Sequence, residues 1–157
     1  MAVEKTRNAA NFHQTVNFHF SVEFIREAQA LDISFQSVTG LDSTLETETV
    51  KEGGENRFEH VIPVRRRYGP LTLKRGLLTP GESGITKWFK KVFDDQKVEP
   101  IPTVHIKLLN EEHDTLMLWT INNVWPRSWK IGELNAERGE VLIETLELNY
   151  NYLVMTE

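Results

Sequence analysis

The stretch Thr15-Val16-Asn17-Phe18-His19-Phe20-Ser21-Val22-Glu23-Phe24-Ile25 decides the fold class. Val16, Phe18, Phe20, Val22 and Phe24 fall on one face and Asn17, His19, Ser21 and Glu23 on the other, the period of a strand with one side in a core. Leu31, Ile33 and Phe35 alternate in the same way. Val38 falls out of phase before Thr39-Gly40, so a bulge or bend is expected there. Further on, Val104, Ile106 and Leu108 lead into an Asn110-Glu111-Glu112-His113-Asp114 turn, and residues 116–125 run back as a second hairpin. Trp125-Pro126 and the polar residues as far as Gly139 read as a break, and residues 141–154 as one long final strand. A single helix interrupts the strands over residues 84–95. Ile85, Trp88, Phe89, Val92 and Phe93 keep helical spacing, Ser83 stands where an N-cap belongs, and Lys87, Lys90 and Lys91 take the wet side. The expected fold is mainly β: an antiparallel β-sandwich or barrel with one packed α-helix.

Composition narrows the function. The chain has 157 residues, read as a single domain over 1–157 with residues 1–14 as an N-terminal extension, and 18 basic against 23 acidic side chains give a formal charge of −5. That balance disfavours broad binding to nucleic acid, and to a membrane surface by the monomer. There is no cysteine, no apolar run near the roughly 18 residues of a membrane span, and no apolar leader core at the N-terminus, so the protein is expected to stay where it is made. His13, His19, His60, His105 and His113 lack metal-ligand spacing, and no phosphate-binding loop or serine elbow occurs. Glu111-Glu112 and Asp94-Asp95 read as a solvated turn and a helix end, the latter pair calling for a Lys or Arg partner. No catalytic residue, metal ligand or cofactor is expected, and the chain is read as not an enzyme. One rival remains, a monomeric barrel or sandwich that binds a ligand or carbohydrate through Trp119, Trp125 and Trp129, against the plainer use of these rings in core or interface packing.

Charge is segregated along the chain. Residues 42–59 hold Asp42, Glu46, Glu48, Glu52, Glu55 and Glu59 against Lys51 and Arg57, whereas residues 65–75 hold Arg65, Arg66, Arg67, Lys74 and Arg75 with no acid. The acidic part reads as a hairpin arm over 44–60, turning at Gly53-Gly54, with too little apolar content to bury a face of its own. Either the two charged segments neutralise each other within one chain, or the arm of one copy meets the basic patch of the next. The candidate assembly residues are Glu46, Glu48, Lys51, Glu52, Gly53, Gly54, Glu55, Arg57, Arg65, Arg66, Arg67, Lys74 and Arg75.

The run Phe35-Gln36-Ser37-Val38-Thr39-Gly40-Leu41-Asp42, then Glu48-Thr49-Val50-Lys51-Glu52-Gly53-Gly54, resembles the tail-tube proteins of contractile phages and of phage-tail-like contractile injection systems. Leu71-Thr72-Leu73-Lys74-Arg75-Gly76 before a helix bearing Trp88-Phe89, then Asn123-Val124-Trp125-Pro126 and Glu144-Thr145-Leu146-Glu147-Leu148, follow in the same order. The resemblance covers residues 16 to 154. It implies an Hcp-like tube fold, hexameric rings whose strands join around a lumen and then stack, and an arm over 44–58 that packs on adjacent subunits. Implied partners are further copies, a sheath protein, a spike or baseplate, tube paralogues and a cargo in the lumen. A protein made in the bacterial cytoplasm would then be built into a tail or tail-like particle, as shaft subunit or as the ring that initiates the tube. The triple arginine at 65–67 and Pro80-Gly81-Glu82-Ser83-Gly84 depart from the family's shaft pattern and leave that choice open.

Overall fold

The computed structural model describes residues 19–27, 29–54, 57–79 and 81–157, with the backbone alone at 29–33. The alternation of the opening segment is realised in β1 (Phe20–Arg26), where Val22 and Phe24 are fully enclosed. Residues 15–18 of that segment and the N-terminal extension lie outside the described residues. The bend expected before Gly40 is a complete change of partner. β2 (Gln29–Ile33) lies antiparallel to β1, whereas β3 (Ser37–Thr39) pairs with β6 (Leu71–Gly76) at the far margin of the sheet.

Eight strands form one antiparallel sheet in the order β2, β1, β7 (Ile101–Leu109), β8 (Thr115–Ile131), β9 (Ile143–Asn149), β6 and β3, with β10 (Tyr152–Thr156) also on β8. β8 carries the architecture. Its first half pairs with β7 and β10, and its second half pairs with β9. The expected break at Trp125-Pro126 is therefore a correction: the strand runs on to Ile131. Asn123 adopts a left-handed φ of 55°, and the register shifts between Pro126 and Ser128. Those irregularities bring Ile121, Val124 and Pro126 to the enclosed side at a spacing that simple alternation forbids, and a proline is tolerated at a bulge. The final strand is likewise divided, into β9 and β10, with Asn151 N–H donating to Asn122 C=O at 3.0 Å across the step.

The two halves of the sheet enclose one core. Val22, Phe24, Val104, Ile106 and Ile121 from one half meet Leu71, Leu73, Leu146 and Leu148 from the other. α1 (Gly84–Asp95) adds Ile85, Trp88, Phe89 and Val92, and each such large side chain contributes about 1.5–3 kcal/mol by leaving water. Ser83 caps the helix, its Oγ accepting from Thr86 N–H at 3.3 Å, and Lys90 pairs with Asp94 four residues on, the partner that the acidic helix end requires. Phe93 departs from expectation: it is 44% exposed at the edge of the stripe.

Arg75 is a second correction. Its side chain is 2% exposed, enclosed by its own chain and removed from the assembly surface. Its Nε donates to Glu144 Oε1 at 2.5 Å, and Nη2 donates to Ser83 Oγ at 3.0 Å and Thr86 Oγ1 at 2.6 Å. Trp129 Nε1 donates to the other Glu144 oxygen at 2.9 Å. The guanidinium lies 5.3 Å from the Phe35 ring centre, a cation–π contact. One buried cation thus fastens β6, β9 and the helix start together. Removing a single partner of such a pair strands a buried charge, so Glu144→Ala is expected to cost about 3–5 kcal/mol in urea unfolding, and Arg75→Met with Glu144→Leu to recover much of that loss. Equal stability of single and paired variants would refute the role.

Candidate assembly surface

Leaving the body at Asp42, the chain forms β4 (Ser43–Val50) and returns as β5 (His60–Tyr68), a two-stranded sheet separate from the main one. The arm is longer than the expected 44–60. Arg65, Arg66 and Arg67 belong to its returning strand, because β5 continues past a register shift opposite Glu46 and Thr47 until Tyr68 faces Ser43. Both strands are exposed almost throughout, including Leu45, Val61, Ile62 and Val64. Two strands with no core to lean on are marginal in water.

Charge partly answers for this within the arm. Arg65 Nε lies 2.5 Å from one oxygen of Glu46 and Arg67 Nη2 lies 2.8 Å from the other, so one carboxylate holds two guanidinium groups. Hydrogen bonding from Arg65 holds the Glu46 carboxyl below the usual carboxylate range, and Arg65 is shifted upward by the same contact. Towards the turn, Lys51 pairs with Glu59 at 3.3 Å and His60 Nε2 lies 3.6 Å from Glu52. Neutralisation within one chain is therefore real for Glu46 with Arg65 and Arg67. Arg66 points elsewhere, lining a groove with Leu41, Ser43, Trp119, Leu153 and Met155. Glu48, Gly53, Gly54, Arg57 and Lys74 are exposed, and Glu55 lies outside the described residues.

The root of the arm is held tightly. Gly40 has φ +92°, and a Cβ there would sit 2.1 Å from Pro70 O, so only glycine fits. Gly69 leaves room for Asp42, whose Oδ1 a Cβ would meet at 3.0 Å. The Tyr150 hydroxyl donates to Gly40 C=O at 3.3 Å, and its ring lies 5.6 Å from that of Tyr68. Burial, then the negative Asp42, push the Tyr150 phenol up to about 12, which keeps it a donor at neutral pH. Nothing in local sequence pattern marks these contacts; the Gly40-Leu41-Asp42 run stands out only within the ordered series that carries the family resemblance.

The proposed chemistry of a ligand site is not assembled by the tryptophans. Trp129 spends its N–H on Glu144 and lies 6.4 Å from Phe89, inside the fold. Trp119 lies in a groove at the open end of the core with Phe20, Val38, Leu41 and Leu108. Among the described residues no group of three His, Cys, Asp or Glu side chains is placed to hold a metal ion.

Three comparisons bear on this geometry. The family model described as T4-like virus tail tube protein gp19 matches residues 16–154. A chain of the anti-feeding prophage baseplate, solved with six-fold symmetry, is 34% identical with a TM-score of 0.84, over 92% of this chain and 96% of that one. A chain of the PVC sheath-tube complex, an extracellular contractile injection system in the extended state, is 21% identical with a TM-score of 0.74 over 99% of each chain. Hcp1 from Flavobacterium johnsoniae shares the fold at 16% identity, with a TM-score of 0.55 over 88% of this chain and 94% of that one. No curated protein sequence matches.

The Glu46 clamp has a defined pH window. Because the folded carboxyl is shifted downward, its contribution is complete above the ordinary carboxylate value of about 4.3 and is lost as pH falls through the lower folded value. Glu46→Gln is expected to abolish that acid transition in the arm and to speed amide exchange across β4 and β5 at neutral pH, with the core strands unchanged. Exchange rates in the arm equal to wild type would remove the clamp.

Proposed function

This chain belongs to the T4-like virus tail tube protein gp19 family and is a tail tube protein of contractile injection systems, and we propose that copies of it close edge to edge into a ring of the inner tube. One observation carries the reading. The half-sheet β2, β1, β7, β8 and β10 has β2 at one margin and β10 at the other, each paired on one side only among the described residues. An open edge is a row of unpaired backbone donors and acceptors, and edge-to-edge closure of copies satisfies both rows at once. Such contacts are heterologous, so they generate a ring when the rotation closes. The six-fold symmetry of the baseplate relative supports six copies.

The position of the core supports one choice of inward face. One side of that half-sheet is covered by β9, β6, β3 and α1, a second layer that needs the larger circumference and therefore lies outside. The bare side, with Ser21, Glu23, His105, Lys107, Thr120 and Asn122, lines the hole, and Lys107 cancels Glu23 across it at 2.7 Å. The ring acts as a passive conduit that makes and breaks no bond. Its neighbours are a sheath, a baseplate or spike and other tube rings, with cargo passing through.

Identity favours a place at the base of the tube: 34% to a baseplate chain against 21% to a sheath-tube chain. On this reading the protein is the first ring, from which the tube grows.

Light scattering and negative-stain microscopy of the purified chain, with its cognate tube partners added, are expected to reveal annuli of six times 18.2 kDa, roughly 109 kDa. Monomer under all those conditions would overturn the ring. Quantitative mass spectrometry of whole particles separates the two positions: about six copies per particle supports the first ring, and a copy number matching the sheath supports the shaft.

A further inference from the structure

The end of the fold opposite the arm's root carries the loop joining β8 to β9, residues 132–142. β6 leads from one to the other: it starts at Leu71, beside the root, and ends at Gly76, which faces Ile143. Six residues of strand separate the two ends by roughly 20 Å. Strands of a closed barrel run at about 35–45° to its axis, so the root and this loop fall on opposite end faces of the proposed ring. Those two faces are chemically unlike.

The loop is apolar where solvent should be. Leu134 is 81% exposed and Val141 75%, the two highest values among the exposed large apolar side chains, with Ile131 at 50% beside them. Leu134 and Val141 border an open hollow whose floor is Gly132, Leu142 and Ile143. The loop's own hydrogen bonds hold this shape. Asn135 Oδ1 accepts from Glu137 N–H at 3.0 Å, Asn135 C=O accepts from Arg138 N–H at 3.3 Å, and Gly132 N–H donates to Ile143 C=O at 2.9 Å. Leu77 N–H fastens the far side to Leu142 C=O at 2.8 Å. A surface already held in shape loses little disorder when a partner arrives.

Charge says what kind of partner fits. Glu133, Glu137 and Glu140 surround the apolar pair against one Arg138, and among the described residues none of the three carboxylates has an ion partner. Six copies carry this excess to about twelve negative charges around one end face, a field that draws cations and repels acidic surfaces. The arm end differs, because Glu46 holds both Arg65 and Arg67 within the chain. Two faces like the loop's would repel each other, and a single ring at the base of the tube has no further copy along its axis. We propose that loop 132–142 is the anchor by which this ring seats on the baseplate, its occupant a segment of a different chain with apolar side chains flanked by Lys or Arg. Apolar groups meet at the centre and opposite charges at the rim, the anatomy of a specific interface. The inference rests on the first-ring reading and deepens it by naming the surface and the chemistry of what covers it.

Two measurements test the anchor. In whole particles carrying Leu134→benzoylphenylalanine, irradiation is expected to join this chain to one baseplate chain, within a few residues of a Lys or Arg. An adduct with a second copy, a shaft subunit, the sheath or an acidic segment, or no adduct, would overturn the anchor. Purified rings are then sedimented with baseplates assembled in cells lacking this chain. Leu134→Asp with Val141→Asp is expected to leave rings intact and weaken binding at least about tenfold, since apolar anchors at an interface centre dominate its energy. Glu133→Lys with Glu140→Lys should do the same, whereas Arg66→Glu in the arm should bind as wild type does. All four loop positions are exposed, and circular dichroism checks that each variant keeps its fold. Loop variants that bind as wild type does, wild-type rings that do not bind, or equal weakening by Arg66→Glu would each overturn the anchor while leaving the ring standing. Absence of wild-type rings would overturn the ring itself, and a copy number matching the sheath would overturn the position at the base; the anchor falls with either.

Discussion

Among the described residues, backbone N–H and C=O groups along β2 and β10 have a partner strand on one side only, and the proposed assembly follows from that imbalance. A globular sandwich hides such margins under loops, helices or charged side chains. Here β10 presents Tyr152, Val154 and Met155, all well exposed, along a margin whose neighbouring face is already packed by Leu153 and Trp119. Both margins belong to the same half of the sheet, and the other half with its helix covers only one side of it. Among the described residues, the core is complete and these two borders stay unpaired.

Within the body, the interaction that resists rearrangement is the enclosed Arg75 and Glu144 pair. Hydrophobic contacts alone leave some freedom for a helix to slide over a sheet, because aliphatic surfaces are forgiving of small shifts. A guanidinium bonded to Glu144, to the cap residue Ser83 and to Thr86 admits one position of the helix start. In the proposed ring, where a subunit matches neighbours on several sides, a fixed helix layer has more value than the same stability gained from apolar packing.

Local pattern carried much of the fold into view. The alternation of Val22 and Phe24, the helical spacing from Ile85 to Val92, the Ser83 cap and the turn at Gly53-Gly54 are all decided by neighbours in sequence, and all stand as read. Features decided by distant residues did not appear. Pro126 reads as a terminator until the bulge beside it is known, and Asn123 in a left-handed conformation resets the alternation of β8. Val64 to Tyr68 looks like a separate basic segment because the shift opposite Glu46 breaks the phase of the arm. Arg75 counted as surface charge because its partner stands 69 residues away. That the arm lacks a core of its own is legible in its poverty of apolar residues, whereas the exposure of Leu134 and Val141 is invisible in sequence, where both are ordinary residues.

Gly40, pressed against Pro70, and the Tyr150 hydroxyl on its carbonyl give the arm a rigid root. A tether of flexible residues at that point would let the hairpin swing, and each docking event would first have to freeze it, at about 0.5–1.5 kcal/mol for every mobile side chain immobilised. A hairpin held at a set angle before it meets anything loses less disorder on contact. In the proposed assembly the subunit is preorganised before contact, because the arm's angle is set by crowding around one residue that has no side chain.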